Sequence, residues 1–494
     1  MKIYIINNTF HYEMENLTRV FFPNEKIEII KCTAVPQDAL DSPYVATRVE
    51  STDNYSRVSV QTVFDDFSKN ITQQVEYVED TEEYQTELER TMAACLYKLL
   101  SEYTGLTPPW GILTGVRPIK LFRKMAESMG TENAKKHFRD KFLVSEEKVQ
   151  LAEETEKNEQ AILRTSSVNS YSLYVSIPFC PSRCSYCSFI SQATLKAKKL
   201  IEPYVELLCR ELEETAKILK GKNLKLETVY IGGGTPTTLN AQQLERLIAT
   251  INRCFPMEQC REFTVEAGRP DTITEDKLKA ILNGGADRIS INPQTMNDTV
   301  LEAIGRKHTA QQTIEAYRLA RAVGFNHINM DLIVGLPKDN LESFENTLNT
   351  ITELDPESIT VHTLSMKRSS NLTIQGVKIM KQDADTASAM HTYCKGILEI
   401  KGYHPYYLYR QSRMVGNLEN IGYSKPDRDG LYNVFIMDET HTILGCGAGA
   451  VTKLKNGTTG SLSRVFNYKY PDWYVNDFDE ILRRKQEISD FFNK

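Results

Sequence analysis

YVSIPFCPSRCSYCSF, residues 174–189, joins an apolar strand-like run to three cysteines packed into eight residues, Cys180, Cys184 and Cys187. The other seven cysteines (Cys32, Cys95, Cys209, Cys254, Cys260, Cys394 and Cys446) lie scattered, mostly in apolar runs, where a thiol acts as a small hydrophobe. In a chain read as cytoplasmic, a crowded trio favours metal over a disulfide framework. A tetrahedral zinc site needs a fourth ligand, and no second CxxC pair lies nearby. Three thiolates suit a [4Fe–4S] cluster with one iron left open.

Outward from this stretch the pattern alternates. Strand-like runs occur at 171–177, 227–231, 261–266, 287–292, 327–334 and 357–362. Amphipathic windows separate them: Leu244, Leu247, Ile248 and Ile251 recur at helical spacing, as do Phe344, Leu348 and Ile351. Six successive βα units predict a parallel sheet, open or curled into a partial barrel. Unusual polar features fall at the C-terminal ends of these runs: the cysteines, then Gly232-Gly233-Gly234-Thr235-Pro236, Glu266, Gln294, Asp331, and His362 to Ser365. Barrel enzymes build their active sites at that end. The expected class is α/β, a partial (β/α)6 barrel over 169–375. It is preceded by an N-terminal α+β domain (1–104) and a helical linker segment (105–168), and followed by a C-terminal α/β extension (376–494).

The formal net charge is −6 and no Lys/Arg-rich run is present, which argues against nucleic acid as a partner. The first residues are polar and acidic, unlike a signal peptide. No window is apolar enough to span a membrane. A cytoplasmic monomer is expected.

CxxxCxxC with an aromatic, Tyr186, before its last cysteine resembles the radical S-adenosylmethionine (SAM) superfamily. That resemblance implies a [4Fe–4S] cluster on Cys180, Cys184 and Cys187. It also implies one or two molecules of SAM, cleaved by an electron from the cluster to methionine and a 5′-deoxyadenosyl radical. Gly233, Gly234 and Thr235 are similar to the family's glycine motif. Tyr174, Glu266, Gln294, Arg306 and Asp331 match, in type and position, SAM-contacting residues of a narrower family, the oxygen-independent coproporphyrinogen III dehydrogenases. Tyr186 and Ser365 join the implied cofactor set. The resemblance leaves no catalytic residue beyond cluster and SAM. It implies decarboxylation of coproporphyrinogen III propionates in haem biosynthesis, with a flavodoxin- or ferredoxin-type electron donor.

LGCGAGA (444–450) and RVFNYKYPDWYV (464–475) resemble the C-terminal signatures of that family, while GILTGVRP (111–118) and PYYLYRQSRMVGNLENIGYS (405–424) resemble its HemZ-type subgroup. Two departures stand out. Phe189 occupies the place where the dehydrogenases carry a fourth cysteine, and 416–420 reads GNLEN, without the histidine of the related haem chaperones. A haem-binding chaperone, or an enzyme acting on another tetrapyrrole, is the alternative. Coproporphyrinogen carries four propionates, so cations around the barrel mouth are its expected ligands: Arg183, Arg269, Arg368, Arg410 and Arg413, with Arg368 and Arg410 the favoured pair.

Overall fold

The computed structural model describes residues 1–37, 43–77, 81–189 and 192–493. The chain divides into two compact units. One comprises Met1–Glu156, Val377–Ser388 and Tyr409–Glu419; the other comprises Lys157–Gly376, Ala389–Leu408 and Asn420–Lys494.

In the first unit, β1 (Lys2–Ile6) lies between β2 (Glu28–Cys32) and β3 (Tyr44–Ser51), parallel to both. The antiparallel strands β4 (Tyr55–Phe64) and β5 (Phe67–Glu76) complete the sheet. Strand β4 alternates inward and outward residues, as a sheet with one covered face requires. Helix Glu82–Thr104 covers that face with Leu88, Met92, Leu96, Leu99 and Leu100, which join Ile3, Ile5, Val58 and Val60 in one core. Thr81 caps it through the Tyr84 N–H, and Gly105 closes it at positive φ.

The second unit holds the barrel. Strands β6 (Ser170–Ile177), β9 (Lys225–Gly233), β10 (Glu262–Gly268), β11 (Arg288–Ile291), β12 (Ile328–Val334) and β13 (Ser358–Thr363) run parallel in that order. Each coincides with an expected run to within two residues at either end. The short pair β7 (Phe179–Cys180) and β8 (Gln192–Ala193) brackets the cysteine loop. Capping boxes start the helices Ala241–Cys254 (Asn240 with Gln243) and Ala310–Val323 (Thr309 with Gln312).

The C-terminal extension continues the same sheet. Strands β14 (His404–Tyr409) and β15 (Asn420–Ser424) extend it beyond β13, with β15 antiparallel to β13. Strand β16 (Thr442–Cys446) runs parallel to β6 on the other side, followed by antiparallel β17 (Val451–Lys455) and β18 (Leu462–Phe466). The result is one sheet of 11 strands. No helix among the described residues is long and apolar enough to cross a membrane.

Candidate active site at the barrel interior

Parallel strands covered on both faces are apolar almost throughout, which makes the exceptions informative. In β6, β10, β12 and β13 a single side chain retains solvent access: Tyr174, Glu266, Asp331 and His362 respectively. In β9 the only such residue between the strand's ends is Tyr230. These side chains also touch one another. Tyr174 pairs with Tyr230 in the β6–β9 register, and their rings stack with Tyr432. The Tyr230 hydroxyl donates to Glu266, and His362 Nε2 lies 3.7 Å from Asp331 Oδ2. Five strands therefore present one polar space.

Its two carboxylates differ. Burial pushes Glu266 up to about 7, aided by the Asp331 charge and opposed by the Tyr230 hydrogen bond. Burial also acts on Asp331, but His362 and the Asn329 amide outweigh it and hold this carboxyl below its ordinary value. Asn329 is itself fixed by Ser290 and Thr360, so Asp331 sits on a buried polar network.

Cys180 ends β7, and Cys184 and Cys187 lie in the loop that follows it. Cys184 is buried, while Cys180 and Cys187 are half-buried. The Cys187 N–H donates to the Cys184 carbonyl, and Thr235 Oγ1 lies 3.5 Å from Cys180 Sγ. Ser185 anchors the loop through its backbone, donating to Ile304 and accepting from Leu372. Burial pushes the Cys187 thiol up to about 11, so ligation there must displace a proton.

Comparison with known proteins supplies the frame for this arrangement. Residues 174–351 match the Radical SAM superfamily model. The oxygen-independent coproporphyrinogen-III oxidase-like protein HemZ of Bacillus subtilis is 36% identical over 485 residues, covering 97% of this chain and 96% of that one. The haem chaperone HemW of Bacillus subtilis is 34% identical over 239 residues, 48% of this chain and 62% of its own. Among solved structures, the coproporphyrinogen III oxidase HemN of Escherichia coli, described as a radical SAM enzyme, superposes with a TM-score of 0.52 at 25% identity. It covers 65% of this chain and 73% of its own.

The chain belongs to the oxygen-independent coproporphyrinogen-III oxidase-like radical SAM proteins.

Radical SAM proteins use a [4Fe–4S] cluster and SAM, and the donor set fits both. Three thiols come from one loop, as a cluster with one open iron requires. Among the described residues no three His, Cys, Asp or Glu side chains converge at single-ion distances. A cube spaces its thiolates more widely than one ion does, since each thiolate binds a different iron. Arg306 is 9% exposed and has no ion pair among the described residues. It donates to the Asn292 carbonyl at 2.9 Å and to the Tyr186 hydroxyl at 3.0 Å, and its Nε has no partner. A buried cation with an orphaned N–H suits an anionic ligand.

The glycine motif carries a different message from the one its sequence suggests. A Cβ on Gly234 would stand 2.6 Å from the Phe179 carbonyl oxygen, and one on Gly233 would stand 2.9 Å from Ser176 Oγ. Gly233 also adopts φ +106°. These glycines are required by the close approach of β9 to the end of β6, whatever ligand is bound. Thr235, which is buried, donates its N–H to the Phe179 carbonyl.

Gln294 holds φ +71°, and its backbone bridges to β12 through Asp331 and Ile333. Its side chain is buried. Ser365 follows β13 at the same barrel end.

The expected substrate arginines separate. Arg183 and Arg368 are exposed, with Arg183 donating to the Ser369 carbonyl at 2.7 Å. Arg410 and Arg413 belong to the first unit. Arg410 is 2% exposed, donates to Leu113 and Asn417, and lies over the Trp110 ring. This corrects its reading as a cation open to propionate. Arg269 is likewise buried and committed to protein acceptors. Sequence reasoning placed Tyr230 only as a strand residue, and His362 only among the polar features at the end of its run. The signal available for Tyr230 was its position, one residue from the C-terminal end of the run 227–231.

The raised Glu266 gives a pH prediction. An acid whose folded value exceeds its unfolded one binds protons more tightly when folded. The SAM-free protein should therefore lose stability as pH rises from 4.5 to about 7. Glu266→Gln should flatten that slope in urea titrations across the window; an unchanged slope would remove Glu266 as its source.

Proposed function

We propose that the chain is an oxidoreductase of haem biosynthesis that converts two propionates of coproporphyrinogen III to vinyl groups, giving protoporphyrinogen IX. One observation carries this reading. Likeness to the oxidase-like relative extends over 97% of the chain, well beyond the barrel that all radical SAM chemistries share. In this reading Cys180, Cys184 and Cys187 hold the cluster. Tyr174, Tyr186, Gly233, Gly234, Thr235, Glu266, Gln294, Arg306, Asp331 and Ser365 surround SAM. When bound, cluster and SAM supply hydrogen-atom abstraction at the propionate β-carbon, after which CO2 and an electron leave the substrate.

The protein's own residues orient and exclude water. Arg306 receives the SAM carboxylate, and Tyr186 keeps the guanidinium turned into the site. Glu266 and Asp331 accept from ribose hydroxyls. Arg183 and Arg368, exposed within the cysteine loop and after β13, meet propionates. A flavodoxin- or ferredoxin-type protein delivers electrons, and the chain works as a cytoplasmic monomer.

Arg306→Ala should leave the iron content intact but weaken SAM binding about ten- to a hundredfold, the worth of a charge-assisted pair. Equilibrium dialysis with labelled SAM measures it, and wild-type affinity in the variant would remove Arg306 from the site. The reaction is tested by incubating anaerobically reconstituted protein with SAM, reductant and coproporphyrinogen III, with CO2 and protoporphyrinogen as products. SAM cleavage with no change in the tetrapyrrole would sink the proposed substrate.

Phe189, at the fourth-cysteine position of the dehydrogenases, supports a second reading. A haem chaperone would bind haem in the same preparation and release no CO2.

A further inference from the structure

We infer that Arg269 is a positioning residue that fixes the cysteine loop and raises the reduction potential of the cluster held there. This rests on the cluster assignment above. The arginine follows β10 and is 3% exposed. Its Nε and Nη2 clasp the two carboxylate oxygens of Asp271 at 3.0 and 3.1 Å. That clasp orients the plane of the guanidinium and leaves Nη1 facing the loop. There Nη1 lies 3.2 Å from Ser182 Oγ, 3.5 Å from the Ser182 carbonyl and 3.8 Å from Cys184 Sγ. The sulfur it reaches belongs to the buried member of the cysteine trio.

Its donors are thus divided between an anchor and the loop, with none turned to a substrate carboxylate. Hydrogen bonds and positive charge at a ligating sulfur favour the reduced, more negative state of an iron–sulfur cluster. Arg269 supplies both. Asp271 carries the opposite charge on the far side of the guanidinium and partly offsets it. Lysine at 269 would keep the charge but not the fork that reaches anchor and sulfur together.

These roles predict opposite signs for neighbouring substitutions, which a merely structural role would not produce. Wild type, Arg269→Met, Arg269→Lys and Asp271→Asn are reconstituted anaerobically and assayed for iron. Each is then titrated redox-potentiometrically by electron paramagnetic resonance, without SAM or substrate. Arg269→Met is expected to keep its iron and to show about a tenfold lower reduced-to-oxidised ratio at the wild-type midpoint. For a one-electron couple this is a shift of about 59 mV to more negative potential. Arg269→Lys should shift in the same direction by less, and Asp271→Asn should shift to more positive potential. An unchanged midpoint in Arg269→Met, or shifts of one sign in Arg269→Met and Asp271→Asn, overturns the inference. If Arg269→Met fails to take up iron, the opposed signs of Arg269→Lys and Asp271→Asn decide it alone. Wild-type protein that takes up no iron would instead sink the cluster assignment, and this inference with it.

Discussion

Replacing any one of Cys180, Cys184 or Cys187 by alanine should abolish the broad visible absorbance of the reconstituted protein and remove most of its iron. Cys254→Ala and Cys446→Ala should keep both. The trio shares one loop beside Thr235, Arg269 and Arg306, so losing one thiolate leaves a second iron without a protein ligand. Cys446 is buried at the end of β16, within reach of Thr215 and Lys485, and burial pushes its thiol up to about 11. Cys254 closes the helix Ala241–Cys254. Iron assay and absorbance spectra check the prediction, and full iron in all three loop variants would end the cluster reading.

The second large effect lies away from the chemistry. Glu211, on the helix Thr194–Leu219, is fully buried. It pairs with Lys485 at 2.7 Å and accepts from the Gly447 N–H, the Asn467 amide and the Tyr474 hydroxyl. Glu211→Ala leaves a buried lysine and three donors without their acceptor, which should cost about 3–5 kcal/mol. This junction supports the cluster strand. A Cβ on Gly447 would stand 2.5 Å from the Ser176 carbonyl oxygen, and Tyr204 bridges Ser176 to the Ala448 N–H. The urea midpoint of the variant should fall steeply. Lys217→Ala, which removes an exposed pair with Glu214, should change stability by less than about 0.5 kcal/mol. A Glu211→Ala midpoint equal to that of Lys217→Ala would show the network to be dispensable.

Much of the barrel was legible because parallel strands covered on both faces are short apolar runs, and local pattern reports them directly. The extension was harder. LGCGAGA signals close packing, yet nothing local says that β16 runs parallel beside β6, some 270 residues earlier in the chain. Likewise, the arginines of 405–424 looked alike in sequence, and only burial showed Arg410 enclosed by Leu113, Asn417 and Trp110.

By itself the sequence determined the six strand segments, the three closely spaced thiols and the polar residues at the strand ends, because each depends on neighbours within a few positions. The tertiary structure alone decided which of those polar residues share a space. It joined Tyr230 to Glu266, His362 to Asp331 and Arg306 to Tyr186 across separate strands and loops. It also turned Arg269 toward Cys184 rather than toward solvent. A long cationic side chain has many rotamers, and the one it keeps is chosen by acceptors that only folding brings within reach.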